Sequence, residues 1–355
     1  MDVADPATPA IDMFSMPGSV ADRASFFVNA MTYAFEPGAI QDRSFATLVQ
    51  VFTAALAVTP EIAALVPGAP VDASPVKYAH MLLAGYGDDA ATALAGAIMS
   101  EGVRLESLGT PDEALSLARA ALSPLYEGRS EAARRSFFDA PSSKVAQLLA
   151  LESWWSPSRP KMTWREVLEE HRAIVLNTGT SASGQMLDER LSKHMSALLM
   201  FGLRDAIRRY CSGWQALERS VSVFADELSL LTGSSSEVVT WLRDQGRSYG
   251  VRPVFATQYA EQLPERVRTA MTGFSTIIAF AQDNVRVATE LAADFAADGT
   301  AWSASDVVNL SPFTTIVRST VNRQRQPAFT MRVAHLEADR TAFAARQGRG
   351  SEASW

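Results

Sequence analysis

The chain has 355 residues, 47% of them hydrophobic and 20% charged, with 39 acidic against 32 basic side chains and a formal net charge of −7. Such a composition belongs to a globular chain with enough apolar material for a sizeable core, arranged as one large domain or two. The acidic balance excludes nonspecific coating of nucleic acid and leaves room only for a few basic side chains facing a pore.

In chain order, the first 165 residues read as helices and turns. Residues 21–35 carry Phe26, Phe27, Ala30, Met31 and Ala34 at helical spacing. Residues 45–58 form a second apolar helical stretch that stops at Thr59-Pro60, as helices tend to stop before proline. Residues 67–75 read as a loop. Thr110-Pro111-Asp112-Glu113 predicts a helix start with Thr110 as cap and Pro111 in the first turn, and that helix runs to about Tyr126. Serine, proline and tryptophan collect around residues 154–160, and Thr163-x-x-Glu166 predicts a capping box and a short helix through Glu170.

Beyond residue 170 the period changes. Residues 173–176 (Ala-Ile-Val-Leu) read as a fully buried parallel strand. Residues 187–210 place Leu187, Leu191, Met195, Leu198, Leu199, Leu203, Ile207 and Tyr210 on one helical face. A buried strand at 221–225, a helix at 234–249 opened by Ser234-x-x-Glu237, and a strand at 253–256 follow. Then come a helix at 264–271, a strand at 276–280 and a helix at 284–295. Segments 314–318 and 328–333 read as a hairpin. Strands alternating with helices imply a parallel sheet covered on both faces. The expected division is a helical domain at 1–165, an α/β domain at 166–335 and a tail at 336–355. No apolar run is long enough to span a bilayer.

One cysteine, Cys211, excludes an internal disulfide and points to a reducing compartment. His80, His171, His194 and His335 share no metal-ligand spacing with it. The chemistry lies in Val221-Ser222-Val223-Phe224-Ala225-Asp226-Glu227, a strand that ends in two carboxylates. Ligands of open α/β sheets sit at strand carboxyl ends. Phosphoryl transfer needs one carboxylate to hold Mg²⁺, usually through water, and a second group to position the attacking water. Asp226 fits the first role and Glu227 the second; the plain alternative is a strand end followed by an acidic cap. The next strand ends in Phe255-Ala256-Thr257-Gln258, where Thr257 and Gln258 are candidates to contact a terminal phosphate. Arg247, in Gly246-Arg247-Ser248-Tyr249-Gly250, is a candidate arginine finger toward a neighbouring subunit or simply a cation at a helix end.

Phe224 to Glu227, Gly246 to Val251, Phe255 to Gln258 and Leu263-Pro264-Glu265 together resemble the HerA/FtsK superfamily of RecA-like motor ATPases. The conjugative coupling proteins and TraG/TraD-like ATPases of type IV secretion are the branch most similar to this pattern. The resemblance implies a P-loop NTPase sheet, of which this chain holds the distal half, with an inserted all-α domain before it. It implies that Asp226 and Glu227 are the Walker B pair, that Gln258 follows the sensing strand and that Arg247 acts in trans. It further implies ATP and Mg²⁺ as cofactors, a homo-oligomeric (hexameric) ring, DNA or nucleoprotein cargo and a cytoplasmic site at the inner face of a membrane. The departure is the absent G-x-x-x-x-G-K-[ST] loop. None of the four lysines, Lys77, Lys144, Lys161 and Lys193, stands in such a loop. The small-residue stretch 178–185 lacks the lysine. The chain is therefore expected to bind ATP weakly by itself and to need a separate loop-bearing polypeptide, or else to be a non-catalytic helical recruitment module. Arg204, Arg208, Arg209, Arg318, Arg323, Arg325 and Arg332 are candidate backbone contacts or solvated faces, and Trp154, Trp155 and Trp164 read as packing residues.

Overall fold

Short polar side chains fix where the first helices begin. After β1 (Ala10–Ile11), Ser19 accepts from the Asp22 amide while the Asp22 carboxylate reaches back to the Ser19 amide, which opens α1 (Val20–Ala34). α2 (Asp42–Ala55) follows. Thr59 and Ser74 then cap α3 (Pro60–Ala64) and α4 (Pro75–His80), each with proline in the first turn. Next come α5 (Asp88–Ser107), α6 (Glu113–Tyr126), α7 (Glu131–Leu149) and α8 (Glu152–Trp155). Asp112, not Thr110, caps α6: its carboxylate accepts from the Leu115 amide at 2.9 Å, so the helix starts two residues later than expected. β2 (Lys161–Met162) precedes α9 (Trp164–Glu169), which has the expected Thr163/Glu166 capping box. α10 (Glu189–Tyr210), β3 (Val221–Ala225), α11 (Glu237–Asp244) and β4 (Val251–Phe255) come next. Beyond these lie α12 (Glu265–Thr272), β5 (Ile277–Ala279), α13 (Val285–Phe295) and α14 (Ala304–Val308), then β6 (Thr314–Arg318), β7 (Thr320–Val321), β8 (Gln324–Arg325) and β9 (Phe329–Arg332).

The structure, a computed structural model, describes residues 1–334 except 180–183, 185, 233–235, 259 and 323. The expected tail, Ser234, Arg323, His335 and most of the small-residue stretch at 178–185 lie outside the described residues. The fold is mixed and helix-rich, with small sheets: β1–β2 and β3–β4 are parallel pairs, β5–β6–β9 is antiparallel, and β7–β8 is a short antiparallel ribbon. The chain divides into two compact units, Met1–Thr257 and Gln258–Trp355. The packing does not break at residue 165, because one core runs from Val3 through the helices and α10 to Val223, Trp241 and Val251. At its centre Phe27 meets Phe14, Phe52 and Trp155 with ring centroids 4.5, 4.9 and 5.7 Å away. The second unit has its own small core of Ala279, Ala288, Ala292, Phe295, Val307, Ile316 and Ala328.

Several strand expectations are corrected. The expected continuous parallel sheet is absent among the described residues. Residues 173–176 do not form a buried strand: Val175 is 82% exposed, and the backbone there is occupied by the chain start. The Met1 ammonium donates to the Val175 carbonyl, Asn177 donates to Met1, and Val3 donates to Asn177. β5 pairs antiparallel with β6 and not with β4, because Ile277–Ala279 finds its ladder partners in Ile316–Arg318. β3 is half-buried and alternating, with Val223 and Ala225 inside and Ser222 and Phe224 outside. The helix expected over 234–249 is shorter, ending at Asp244 before a separate 3₁₀ turn. The 314–333 segment does fold back on itself, through β6 and β9 with β7–β8 at the bend, where Asn322 takes a positive φ of 51°.

Gly250 joins that 3₁₀ turn to β4 at φ +79°, and a Cβ there would stand 2.4 Å from the Arg219 carbonyl oxygen. That oxygen is backbone and cannot swing aside. Gly250→Ala is expected to cost about 2–4 kcal/mol, from the left-handed conformation plus the clash, read as a lowered denaturant midpoint.

Lys161 is a half-buried cation whose ammonium donates to the Trp154 carbonyl at 2.5 Å, and its partial burial lowers its pKa to about 8. In the unfolded chain the value returns to about 10.4. Between those values the unfolded state holds a proton that the folded state has shed, so this group makes stability rise with pH across the window and is level below it. Cys211, pushed up to about 12 by burial, works in the opposite sense, so the measurement is a difference. The stability of the native chain minus that of Lys161→Met is expected to grow from pH 8 to about 10 in denaturation series.

Among the described residues no helix is long and apolar enough to cross a membrane.

Candidate functional site

The site is built on two neighbouring strand ends. β3 and β4 lie side by side in parallel register, with Val221 opposite Val251 and Ala225 opposite Phe255. The pairing continues one step past the strands: the Ala256 amide donates to the Ala225 carbonyl at 2.8 Å, and the Leu228 amide donates to the Ala256 carbonyl at 2.9 Å. Glu227 thereby comes to face Thr257, whose hydroxyl donates to the Glu227 carboxylate at 3.2 Å. The Ser229 amide donates to the same carboxylate oxygen at 3.3 Å, which makes Glu227 the cap of the turn Leu228–Leu230. Asp226 is exposed and has no hydrogen bond or ion pair among the described residues. The loop after the acid pair is fixed from the helical region, where the buried Tyr33 hydroxyl donates to the Leu231 carbonyl at 2.9 Å.

The structure thus brings Glu227 and Thr257 together, while Asp226 adjoins Glu227 in the chain and its carboxylate contacts neither among the described residues. Gln258 follows Thr257 directly, is exposed, and is the first residue of the second unit. Arg247 is exposed in the turn Gly246–Tyr249 that leads into β4, so it stands at the strand starts, a whole strand length from the acid tips. Five residues at about 3.3 Å each keep it out of reach of Asp226 in its own chain.

Chemically, a free carboxylate beside one held by two donors suits a hydrated divalent cation on Asp226 and an oriented water on Glu227. Among the described residues no lysine pairs with these carboxylates. Lys77 pairs with Glu152 at 2.8 Å, the Lys144 ammonium lies 5.6 Å over the Phe35 ring, Lys161 is held by Trp154, and Lys193 is on α10. No group of three or more His, Cys, Asp or Glu residues is placed to hold a metal among the described residues.

The arginines read from the sequence are mostly committed. Arg204 is buried and paired with Glu237, and Arg209 pairs with Asp205 at 2.6 Å. Arg318 and Arg325 both reach Asp294, at 3.1 Å each. Arg208 and Arg332 are exposed. Trp154, Trp155 and Trp164 are all buried. Two features escaped the sequence reading: the Tyr33 tie to Leu231, and a bare outer face on β3–β4 where Phe224 is 75% exposed. The alternation Ser222, Phe224, Asp226 is the signal that would have found the second.

No family model matches the chain, and no curated protein matches it.

Proposed function

We propose that the chain is the acid-bearing half of a RecA-like, ATP-driven translocase subunit of conjugative DNA transfer or type IV secretion, working with a separate polypeptide that supplies the phosphate-binding loop. One observation carries this reading: the tip of β3 with two carboxylates adjoins the tip of β4 with a hydroxyl, and Thr257 and Glu227 are hydrogen-bonded across the gap. Asp226 would hold Mg²⁺ through water, Glu227 would take the proton of an attacking water, and Thr257 and Gln258 would face the terminal phosphate. Bound Mg²⁺ supplies charge neutralisation on the phosphates; orienting the water is the work of Glu227. Arg247, at the far end of the strands, would serve a neighbouring subunit of a homo-oligomeric ring, with DNA or nucleoprotein as cargo. On this reading the chain works in the cytoplasm at the inner face of a membrane, entered only by segments outside this sequence or by partners.

A second reading, a non-catalytic assembly module, is favoured by the largely helical core of the first unit and by Lys77 and Lys161 being engaged elsewhere, with Glu152 and with the Trp154 carbonyl. Mixing the chain with the product of the preceding open reading frame separates the two. Mg²⁺-dependent ATP hydrolysis that neither polypeptide has alone supports the motor, whereas stable binding without hydrolysis supports the module. Tight Mg²⁺-dependent ATP binding by this chain by itself would overturn the need for a partner loop.

A further inference from the structure

Parallel strands are ordinarily covered on both faces, yet among the described residues only one face of β3–β4 is covered. Inward, Val223, Ala225 and Val251 are buried. Outward, alternation sets Ser222, Phe224 and Asp226 along one strand and Arg252, Val254 and Ala256 along the other, all exposed. Ser222 lies opposite Arg252 and Phe224 opposite Val254. Phe224 and Val254, 75% and 53% exposed, form the middle of the patch. The two charges sit at opposite corners, Arg252 where β4 begins and Asp226 just past the end of β3. Arg252, like Asp226, has no hydrogen bond or ion pair among the described residues.

We propose that a second copy of this chain covers this face, through a two-fold axis lying parallel to it. A surface that is positive at one corner, negative at the other and apolar between is complementary to itself. Rotation about an in-plane axis across the diagonal places each Arg252 over the Asp226 of the other copy and brings the apolar residues together at the centre. The corners are separated by four strand steps, about 13 Å, and by one strand spacing, about 5 Å. That diagonal lies about 20° off the strands, so the strands of the two copies cross at about 40°, close to the angle at which aligned sheets pack. At about 10 Å between sheets, an arginine and an aspartate together span the gap. The patch is smaller than the roughly 800 Å² per partner of a standard interface, so the dimer is weak, with a dissociation constant on the order of 10⁻⁵ M. This pairing occupies Asp226 and does not depend on the motor reading.

The test is sedimentation velocity of the full chain from 1 to 100 μM (roughly a decade either side of that constant), without nucleotide. The expected result is a monomer–dimer equilibrium, weakened at least tenfold by Phe224→Ser, by Arg252→Glu and by Asp226→Arg. All three side chains are exposed, so circular dichroism should be unchanged. Combining Arg252→Glu with Asp226→Arg restores the pairing, an outcome that damage to folding does not produce. A chain that stays monomeric at 100 μM, association insensitive to the single substitutions, or a double variant no better than the singles would each overturn the proposal. ATP hydrolysis with the loop-bearing partner is a separate readout, so either proposal can fail without the other.

Discussion

Arg159→Ala is expected to lower the stability of the first unit by about 2–4 kcal/mol, at roughly 1 kcal/mol or more for each of the two carbonyls left without a donor, plus the lost packing of the side chain. Arg159 is buried and organises the start of the chain. Its Nε donates to the Thr8 carbonyl at 2.7 Å, and its Nη2 donates to the Asp2 carbonyl at 2.6 Å and to the Thr8 hydroxyl at 3.0 Å. Nη1 lies 3.4 Å from the Val3 carbonyl, and the guanidinium sits 4.8 Å over the Trp154 ring. Alanine removes every one of these donors and leaves the Thr8 and Val3 carbonyls short of one, while the Asp2 carbonyl keeps the Thr8 hydroxyl and the Asp5 amide. Arg159→Lys restores a charge but only a point-like donor, so it should recover no more than about a third of the loss. Thermal and urea unfolding of the three proteins measure the effect. A loss below about 1 kcal/mol for Arg159→Ala would mean that the chain start is held by β1–β2 pairing and by the bonds of Met1 and Val3 to residues 175–177 without it.

The second large effect is chemical and follows from the proposed function. In the complex with a loop-bearing partner, Glu227→Gln is expected to reduce ATP hydrolysis by about 10²-fold or more while leaving ATP binding within about twofold, because the amide keeps the shape but cannot take the proton. Asp226→Ala should lower hydrolysis to a comparable extent and also raise the Mg²⁺ concentration needed for half-maximal rate, which Glu227→Gln should not do. The structure supplies a control. Thr257→Val removes the hydroxyl that donates to Glu227 but leaves the Ser229 amide in place, so its effect should be only several-fold. Equal rates for the native chain and Glu227→Gln would reduce that carboxylate to a turn cap and end the motor reading.

Local signals were legible and pairing was not. Thr163 and Glu166 announced a helix start because both partners of the box lie within four residues of each other. Val221 to Ala225 announced a strand for a similar reason, with turn-forming residues at either end, and it appears with the expected bounds. The adjacency of β3 and β4 was the exception, expected only from the RecA-like resemblance. By contrast, Ala173 to Leu176 is as apolar as a strand, but a strand needs a ladder partner, and here the available one is the backbone of Met1 and Val3. Ile277 to Ala279 likewise carries no local mark of whether β4 or β6 will claim it. The break at Thr257–Gln258 was hidden for the same reason: it falls inside a motif that reads as continuous, and only the distribution of buried contacts separates the two sides. Of the candidate site, the two acids and Thr257 were visible as strand-end residues, whereas the hold that Tyr33 exerts on Leu231 spans 198 positions and leaves no pattern in sequence.

The buried thiol of Cys211 makes the molecule convenient for spectroscopy. Maleimides and methanethiosulfonates react with thiolate, and a thiol enclosed in the core with its pKa raised to about 12 offers almost none near neutral pH. The native protein is therefore a nearly silent background, onto which one engineered surface cysteine can carry a spin or fluorescent probe without first deleting the natural one.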